Sequence, residues 1–126
     1  MTQRHAPKKA LLVDGPDDRR VFRRFLQLHG FDVEECDSLE EAKVLASRMS
    51  PDVLIAALTW VRDPAWGSWR GGVPVIYHGG VVSEWDALPK AFTSGAAFLA
   101  QPFSLLDFHL AIREVLRPRA GADPIR

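Results

Sequence analysis

Asp14 and His78 are the two side chains whose types and positions could bind a metal ion or a small ligand. Each comes directly after a short apolar run, Ala10–Val13 for the aspartate and Val73–Tyr77 for the histidine. One carboxylate and one imidazole fall short of the three or four ligands that a metal site needs. No nucleophile–base pair can be named in the sequence either, so we expect neither a metal site nor an enzyme.

The apolar runs before these residues belong to a regular alternation of strands and helices. Short apolar runs predict five strands, at 10–13, 31–36, 53–58, 73–77 and 96–99. Apolar residues at helical spacing predict three longer helices, at 17–29, 39–49 and 104–116. A further helix begins near Ser83 and is broken or kinked at Pro89. This alternation predicts an α/β fold, a doubly wound five-stranded parallel sheet with helices on both faces.

In a doubly wound sheet, ligands bind in the crevice at the carboxyl ends of the strands. The predicted strands bring Asp14, residues 57–59, residues 78–80 and Gln101 to that edge. Any chemistry of this chain is therefore expected there.

Length and composition indicate one globular domain. The chain has 126 residues, of which 47% are hydrophobic and 25% charged, and we expect a domain at 9–118 between tails at 1–8 and 119–126. Sixteen basic residues balance sixteen acidic ones, so no overall charge favours nucleic acid or an anionic membrane. A single cysteine and the absence of a long apolar run favour the cytoplasm.

Five segments follow one another along roughly residues 8–118: KKALLVDGPDD, HGFDVEECDSLEEA, SPDVLIAAL, VPVIYHGG and SGAAFLAQPFSLLDFHLAIREVL. In this order they resemble the receiver domain of bacterial two-component response regulators. The resemblance implies a flavodoxin-like fold and a function in phosphorelay signal transduction.

A working receiver accepts a phosphoryl group on an aspartate at the end of the third strand, beside a Mg²⁺ ion held by acidic neighbours. The resemblance places Ala57 at the acceptor position, and Asp14 followed by Gly15 at the acidic pair. Gly79 stands at the hydroxyl position and Gln101 at the lysine position. Nucleophile, half of the metal site, hydroxyl and cation are all absent. The sequence therefore predicts a degenerate pseudo-receiver without phosphoryl transfer, metal or cofactor.

Residues 59–72 replace a segment that holds a loop and a whole helix in the family. This stretch is shorter and contains proline and glycines, so we expect the third helix to be shortened or missing. Trp60, Trp66 and Trp69 lie in it. They either cover the sheet surface that the lost helix exposes or form a partner-binding hot spot, and the first interpretation is favoured.

Three further features are candidates for protein contacts. The first helix carries an arc of arginines, the last helix carries leucines outside its core-facing arc, and Phe98 stands at the family's aromatic switch position. A solvated face and a wide core-facing stripe are the structural alternatives. The candidate partner-binding residues are Arg20, Arg23, Arg24, Trp66, Trp69, Phe98, Leu106, Leu110 and Arg113.

We therefore expect a phosphorylation-independent protein–protein interaction module in bacterial two-component-type signalling. Its partner would be a histidine kinase, a phosphotransfer protein, a regulator or a second copy in a homodimer, with no nucleic acid and no membrane. The alternative is a small-molecule sensor that uses the emptied crevice near Trp60, His78 and Gln101.

Overall fold

The computed structural model describes residues 8–66, 72–79, 82–89 and 93–117. The strands are β1 (Lys9–Val13), β2 (Asp32–Cys36), β3 (Val53–Ala57), β4 (Val75–His78) and β5 (Ala96–Leu99). The helices within these ranges are α1 (Pro16–Leu28), α2 (Leu39–Met49), α3 (Val82–Asp86) and α4 (Leu105–Leu116), and a 3₁₀ helix spans Leu58–Arg62. Apart from Lys8, the predicted tails at 1–8 and 119–126 lie outside the described residues.

The strands form one parallel sheet in the order β2-β1-β3-β4-β5. This confirms the doubly wound sheet predicted from the alternation of elements and the flavodoxin-like fold implied by the resemblance. Val13 pairs with Ala56, and Ala57 pairs with His78, so the carboxyl ends of β1, β3 and β4 lie side by side. Several boundaries differ from the prediction by one or two residues. The clearest differences are that Leu58 begins the 3₁₀ helix and that β4 runs from Val75 to His78 instead of from 73 to 77.

Each face of the sheet is covered by its own apolar core. On one face α1 and α4 pack through the buried side chains of Phe22, Leu26, Phe108, Ile112 and Val115. On the other face α2 and the segment after β3 pack through Leu39, Ala42, Leu58 and Trp66. The central strands are therefore buried on both sides, which explains why their sequences are continuously apolar.

Helix ends follow local sequence signals. Pro16 occupies the first turn of α1, and Gly30 follows that helix with φ of +83°, a conformation that suits glycine. Ser104 and Asp107 form a reciprocal capping box at the start of α4. Within the described ranges, no helix combines the length and the apolar character needed to span a membrane.

The connection between β3 and β4 is where the shortened third helix was expected. Its described part holds the five-residue 3₁₀ helix Leu58–Arg62, and then Trp66, whose side chain is 0% exposed. Residues 67–71, including Trp69, lie outside the described ranges. Trp66 therefore covers the sheet surface, as the favoured interpretation of this segment predicted.

Candidate functional site

Asp14, Ala57 and His78 stand at one level at the carboxyl ends of β1, β3 and β4. Ala57 pairs directly with His78, and Asp14 follows Val13, which pairs with Ala56. Side chains alternate between the faces of a sheet. All three positions lie two residues beyond members of the α1–α4 core, namely Leu12, Ile55 and Ile76. The three side chains therefore project toward the same face.

Asp14 and His78 are joined directly. The distance from His78 Nε2 to Asp14 Oδ2 is 2.7 Å, and the two residues are 2% and 3% exposed. The imidazole also lies against the ring of Phe22, with ring centroids 4.6 Å apart. The contact bridges from β4 to β1 across β3, where Ala57 presents only a methyl group. The sequence placed this pair in one crevice, but it did not predict that the two side chains would bind each other.

This crevice does not fit the Mg²⁺ ion that the receiver resemblance implies. Magnesium prefers an octahedral shell of oxygen ligands. Asp14 offers a carboxylate already bonded to His78, Gly15 has no side chain and Ala57 has no oxygen. Across the described residues, no group of three or more histidine, cysteine, aspartate or glutamate side chains could hold a metal ion.

The backbone conformation would accept a residue with a side chain at Gly15 but not, without strain, at Gly79. Gly15 has a φ of −68°, and a Cβ added there would meet nothing within 4 Å, so the backbone would accept an aspartate. Gly79 has a φ of +75°, which strains any residue with a side chain. A serine or threonine hydroxyl is therefore disfavoured at Gly79 by conformation. Gln101, two residues beyond β5, is exposed and uncharged.

Five aromatic side chains form a chain across the opposite face of the sheet. Centroid distances between successive rings are 6.4, 6.3, 5.7 and 5.6 Å along Trp60, Trp66, Tyr77, Trp85 and Phe98. At one end, Trp60 Nε1 donates to the Val13 carbonyl at 2.9 Å, beside the crevice. In the middle, Trp66 Nε1 donates to the Tyr77 hydroxyl at 2.7 Å. At the other end, Trp85 and Phe98 stack with an interplanar angle of 12°.

Sequence reasoning missed the roles of Tyr77 and Trp85 in this chain. Tyr77 was predicted only as part of an apolar strand, although a tyrosine in a buried strand signals a need for a hydrogen-bond partner. The candidate role of Trp66 in partner binding is wrong, because its fully buried side chain offers no surface. Trp69, the other tryptophan proposed for that role, lies outside the described residues.

The arginine arc of α1 is divided in the structure. Arg20 and Arg24 are exposed. Arg23 turns toward β2, where Nη1 lies 2.6 Å from Glu35 Oε2, and Arg19 approaches the same carboxylate at 3.7 Å. Arg23 therefore contributes to joining α1 to β2, and it is not a fully solvated member of the arc.

On α4, the predicted leucines face outward. Leu106 is 63% exposed and Leu110 is 51% exposed, and Arg113 is exposed beside them. Phe98 is half-buried and holds its stacked position against Trp85. The interpretation of Leu106 and Leu110 as part of a wide core-facing stripe is therefore wrong, because the core contacts are made by other residues of this helix, Phe108, Ala111, Ile112 and Val115.

Cys36 ends β2 beside the crevice but is not a reactive thiol. Its side chain is buried, and its Sγ lies 3.7 Å from the Leu12 carbonyl oxygen. Burial raises the pKa of the Cys36 thiol to about 11, and the charge of Glu41 adds to this effect. The thiolate is the nucleophilic form of cysteine. Cys36 therefore serves as a small apolar residue of the core.

The sequence is similar to that of a known regulatory protein. The chain is 32% identical over 122 residues to the regulatory protein VirG of Rhizobium radiobacter, an alignment that covers 89% of this chain and 45% of VirG. The chain thus spans less than half the length of this relative. No protein-family model matches the sequence.

Solved receiver structures superpose on most of the chain. The chemotaxis protein CheY4 of Vibrio cholerae has a TM-score of 0.71 at 23% identity, covering 88% of this chain and 100% of CheY4. The receiver domain of the hybrid histidine kinase CckA has a TM-score of 0.62 at 22% identity, covering 86% and 99%. A two-component response regulator from Clostridium difficile has a TM-score of 0.69 at 21% identity, covering 87% and 96%. The chain has the fold of these receiver domains.

Proposed function

We propose that this chain is a pseudo-receiver, a degenerate response-regulator receiver domain that acts in bacterial two-component signalling without phosphoryl transfer. One observation carries the proposal: Ala57 stands at the carboxyl end of β3, at the acceptor position, between the bonded side chains of Asp14 and His78. A methyl group has no oxygen to phosphorylate. The chain is therefore proposed as a non-catalytic binding module.

The aromatic chain supports a module with one conformation. A ligand shifts a conformational equilibrium only through its differential affinity for the two states. Without an acceptor, a phosphoryl group has no means of providing such a difference. The stacking of Trp85 on Phe98, and the hydrogen bond of Trp66 to Tyr77, favour a single arrangement of the rings on this face.

We assign partner binding to the outer face of α4. Leu106 and Leu110 are exposed apolar side chains one helical turn apart, and Arg113 supplies a charge at their edge. Exposed leucines flanked by arginine suit a protein surface that is apolar at its centre and charged at its rim. The partner is proposed to be a histidine kinase, a phosphotransfer protein, another regulator or a second copy of this chain.

The absence of phosphorylation is tested with acetyl phosphate or beryllofluoride in the presence of Mg²⁺. A receiver that carries the acceptor aspartate is the positive control. The full chain is expected to keep its intact mass with acetyl phosphate and its amide spectrum with beryllofluoride, while the control changes in both. A phosphorylated species mapped to any residue of the crevice would overturn the proposal.

The binding surface is tested with charge-introducing variants. Leu106→Glu combined with Leu110→Glu is expected to abolish capture of the native partner, or dimerisation as measured by light scattering. Val44→Glu is the matched control, because Val44 is an equally exposed apolar residue on α2. Arg20→Glu combined with Arg24→Glu tests the α1 arc separately. If only the α1 variant lost binding, the assignment to α4 would be wrong.

A small-molecule sensor is the second candidate function. The His78 imidazole is bonded to Asp14 and is 2% exposed, and the Trp60 indole donates to the Val13 carbonyl, so both polar groups already have partners within the chain. Open space does exist nearby, between the 3₁₀ helix and α3. That cavity favours a ligand-binding role.

A further inference from the structure

A cavity of about 150 Å³ lies between the 3₁₀ helix and α3, close to the carboxyl ends of β3 and β4. It is lined by Leu58, Thr59, Val61, Arg62, Glu84 and Leu88. Leu58 is buried, and Val61 and Leu88 are partly buried, so the interior is mainly apolar. A cavity of this size and character can hold a six-carbon ring.

One polar group of the cavity lining, the guanidinium of Arg62, has N–H donors that its ion pair does not use. Arg62 Nη2 lies 3.3 Å from Glu84 Oε2, and the two side chains are 72% and 44% exposed. Charge-assisted hydrogen bonds are shorter, about 2.7–2.9 Å, and exposed ion pairs contribute little stability. A guanidinium has five N–H donors, of which this contact uses one. Arg62 can therefore bind a second carboxylate in addition to Glu84 or in its place.

We propose that this cavity binds a small carboxylate with a compact apolar body, of which benzoate is a representative probe. The apolar body contacts Leu58, Val61 and Leu88, and the carboxylate accepts hydrogen bonds from Arg62. The Thr59 hydroxyl supplies a further polar group to the lining. This inference deepens the second candidate function by naming a ligand class, and it is independent of the pseudo-receiver proposal, because neither a partner protein nor the phosphoryl site takes part in it.

The size of the site explains why the ligand should be small. A ring and one carboxylate contain few atoms, and each atom of a small ligand contributes a limited share of the binding free energy. We therefore expect millimolar to submillimolar affinity for benzoate itself. A larger natural ligand with the same two features would bind more tightly if it also contacted the surrounding surface.

Amide chemical-shift titration of the full chain with benzoate tests the proposal. We expect saturable shifts centred on Thr59, Val61 and Leu88. Benzyl alcohol, which has the ring without the charge, is expected to bind about tenfold more weakly or worse. Benzylamine, which would require Glu84 instead of Arg62, is expected to bind more weakly than benzoate.

Two variants and one control complete the test. Arg62→Gln is expected to weaken benzoate binding about tenfold, through loss of the charged donor. Val61→Phe is expected to abolish it by filling the cavity. Arg24→Gln, at an exposed arginine of α1, should leave it unchanged. Shifts that do not saturate, an equal effect of the two arginine variants, or stronger binding of benzylamine would each overturn the proposal. None of these results depends on whether the chain is phosphorylated.

Discussion

Replacing His78 with leucine tests whether the Asp14–His78 pair is an energetic unit. The pair is almost completely buried, with 2.7 Å between Nε2 and Oδ2. Removing one partner of a buried pair leaves the other group without that partner, at a cost of about 3–5 kcal/mol. Burial of the leucine side chain offsets part of this free-energy cost. We therefore expect His78→Leu to destabilise the chain by about 3 kcal/mol.

The double variant at Asp14 and His78 measures the interaction between the two side chains separately from the contacts that each makes with its surroundings. Asp14→Leu alone should also cost about 3 kcal/mol, because it leaves the imidazole of His78 buried without its carboxylate. Replacing both partners by apolar groups of similar shape is often close to neutral. We therefore expect the double leucine variant to be at most about 2 kcal/mol less stable than the natural chain, with a coupling energy of at least about 4 kcal/mol.

Urea unfolding followed by tryptophan fluorescence measures these differences. With an m-value of about 2 kcal/mol/M, each single variant should lower the unfolding midpoint by about 1.5 M, and the double variant by at most about 1 M. His78→Leu combined with Ser38→Ala is the additivity control, because Ser38 caps α2 on the opposite face of the sheet. A coupling energy below about 0.5 kcal/mol for the Asp14–His78 cycle would refute the reasoning.

Three further predictions concern stability. Tyr77→Phe removes the hydroxyl that accepts from the buried Trp66 indole, and should cost about 1–3 kcal/mol in the same unfolding assay. Because the folded chain raises the pKa of the Cys36 thiol from 9.0 to about 11, stability should be unaffected below pH 9 and fall by up to about 3 kcal/mol as the pH rises to 11. Cys36→Ala should lack that fall. Ser104→Ala should cost about 1 kcal/mol through loss of the α4 cap, whereas Ser47→Ala inside α2 should not destabilise.

The fold could be predicted because its signals are local. Continuous apolar runs marked the central strands, and serine, proline and glycine marked the helix ends. The alternation of strands and helices then restricted the topology to a parallel sheet. Boundaries were less certain where an apolar run continued past the strand, as at Leu58, because periodicity alone does not separate a strand from a 3₁₀ turn.

The candidate site was predicted less completely, because its important contacts link residues far apart in the sequence. Asp14 and His78 are separated by 64 positions, and Trp60 bonds to Val13 across 47. The sequence indicated that Asp14 and His78 would share an edge, from the strand they follow. Whether two polar groups at that edge face a ligand or each other depends on side-chain geometry, which no local pattern encodes.

The sequence predicts the role of the tryptophans in the aromatic chain only in part. Covering the sheet was predicted from the short segment after β3, since apolar surface left by a missing helix must be buried. The partners were not predictable, because Tyr77 and Trp85 belong to other elements, β4 and α3, and no local pattern places their side chains against the tryptophans after β3. Once they are placed, the indole and phenol groups satisfy each other inside the core.

The receiver positions that the proposal treats as degenerate differ in how strongly the backbone conformation determines the residue found there. At Gly15 the backbone would accept an aspartate, so the missing carboxylate reflects the residue alone. At Gly79 the positive φ disfavours a hydroxyl side chain, so the loss there is built into the chain path. Gly15 and Gly79 supply no side-chain ligand for a metal ion, and the buried carboxyl group of Asp14 is hydrogen-bonded to His78 instead. An aspartate restored at Ala57 would add a second carboxyl group beside this pair, with neither a complete metal site nor a lysine to offset its charge. The proposed pseudo-receiver state therefore depends on several residues of the crevice and not on Ala57 alone.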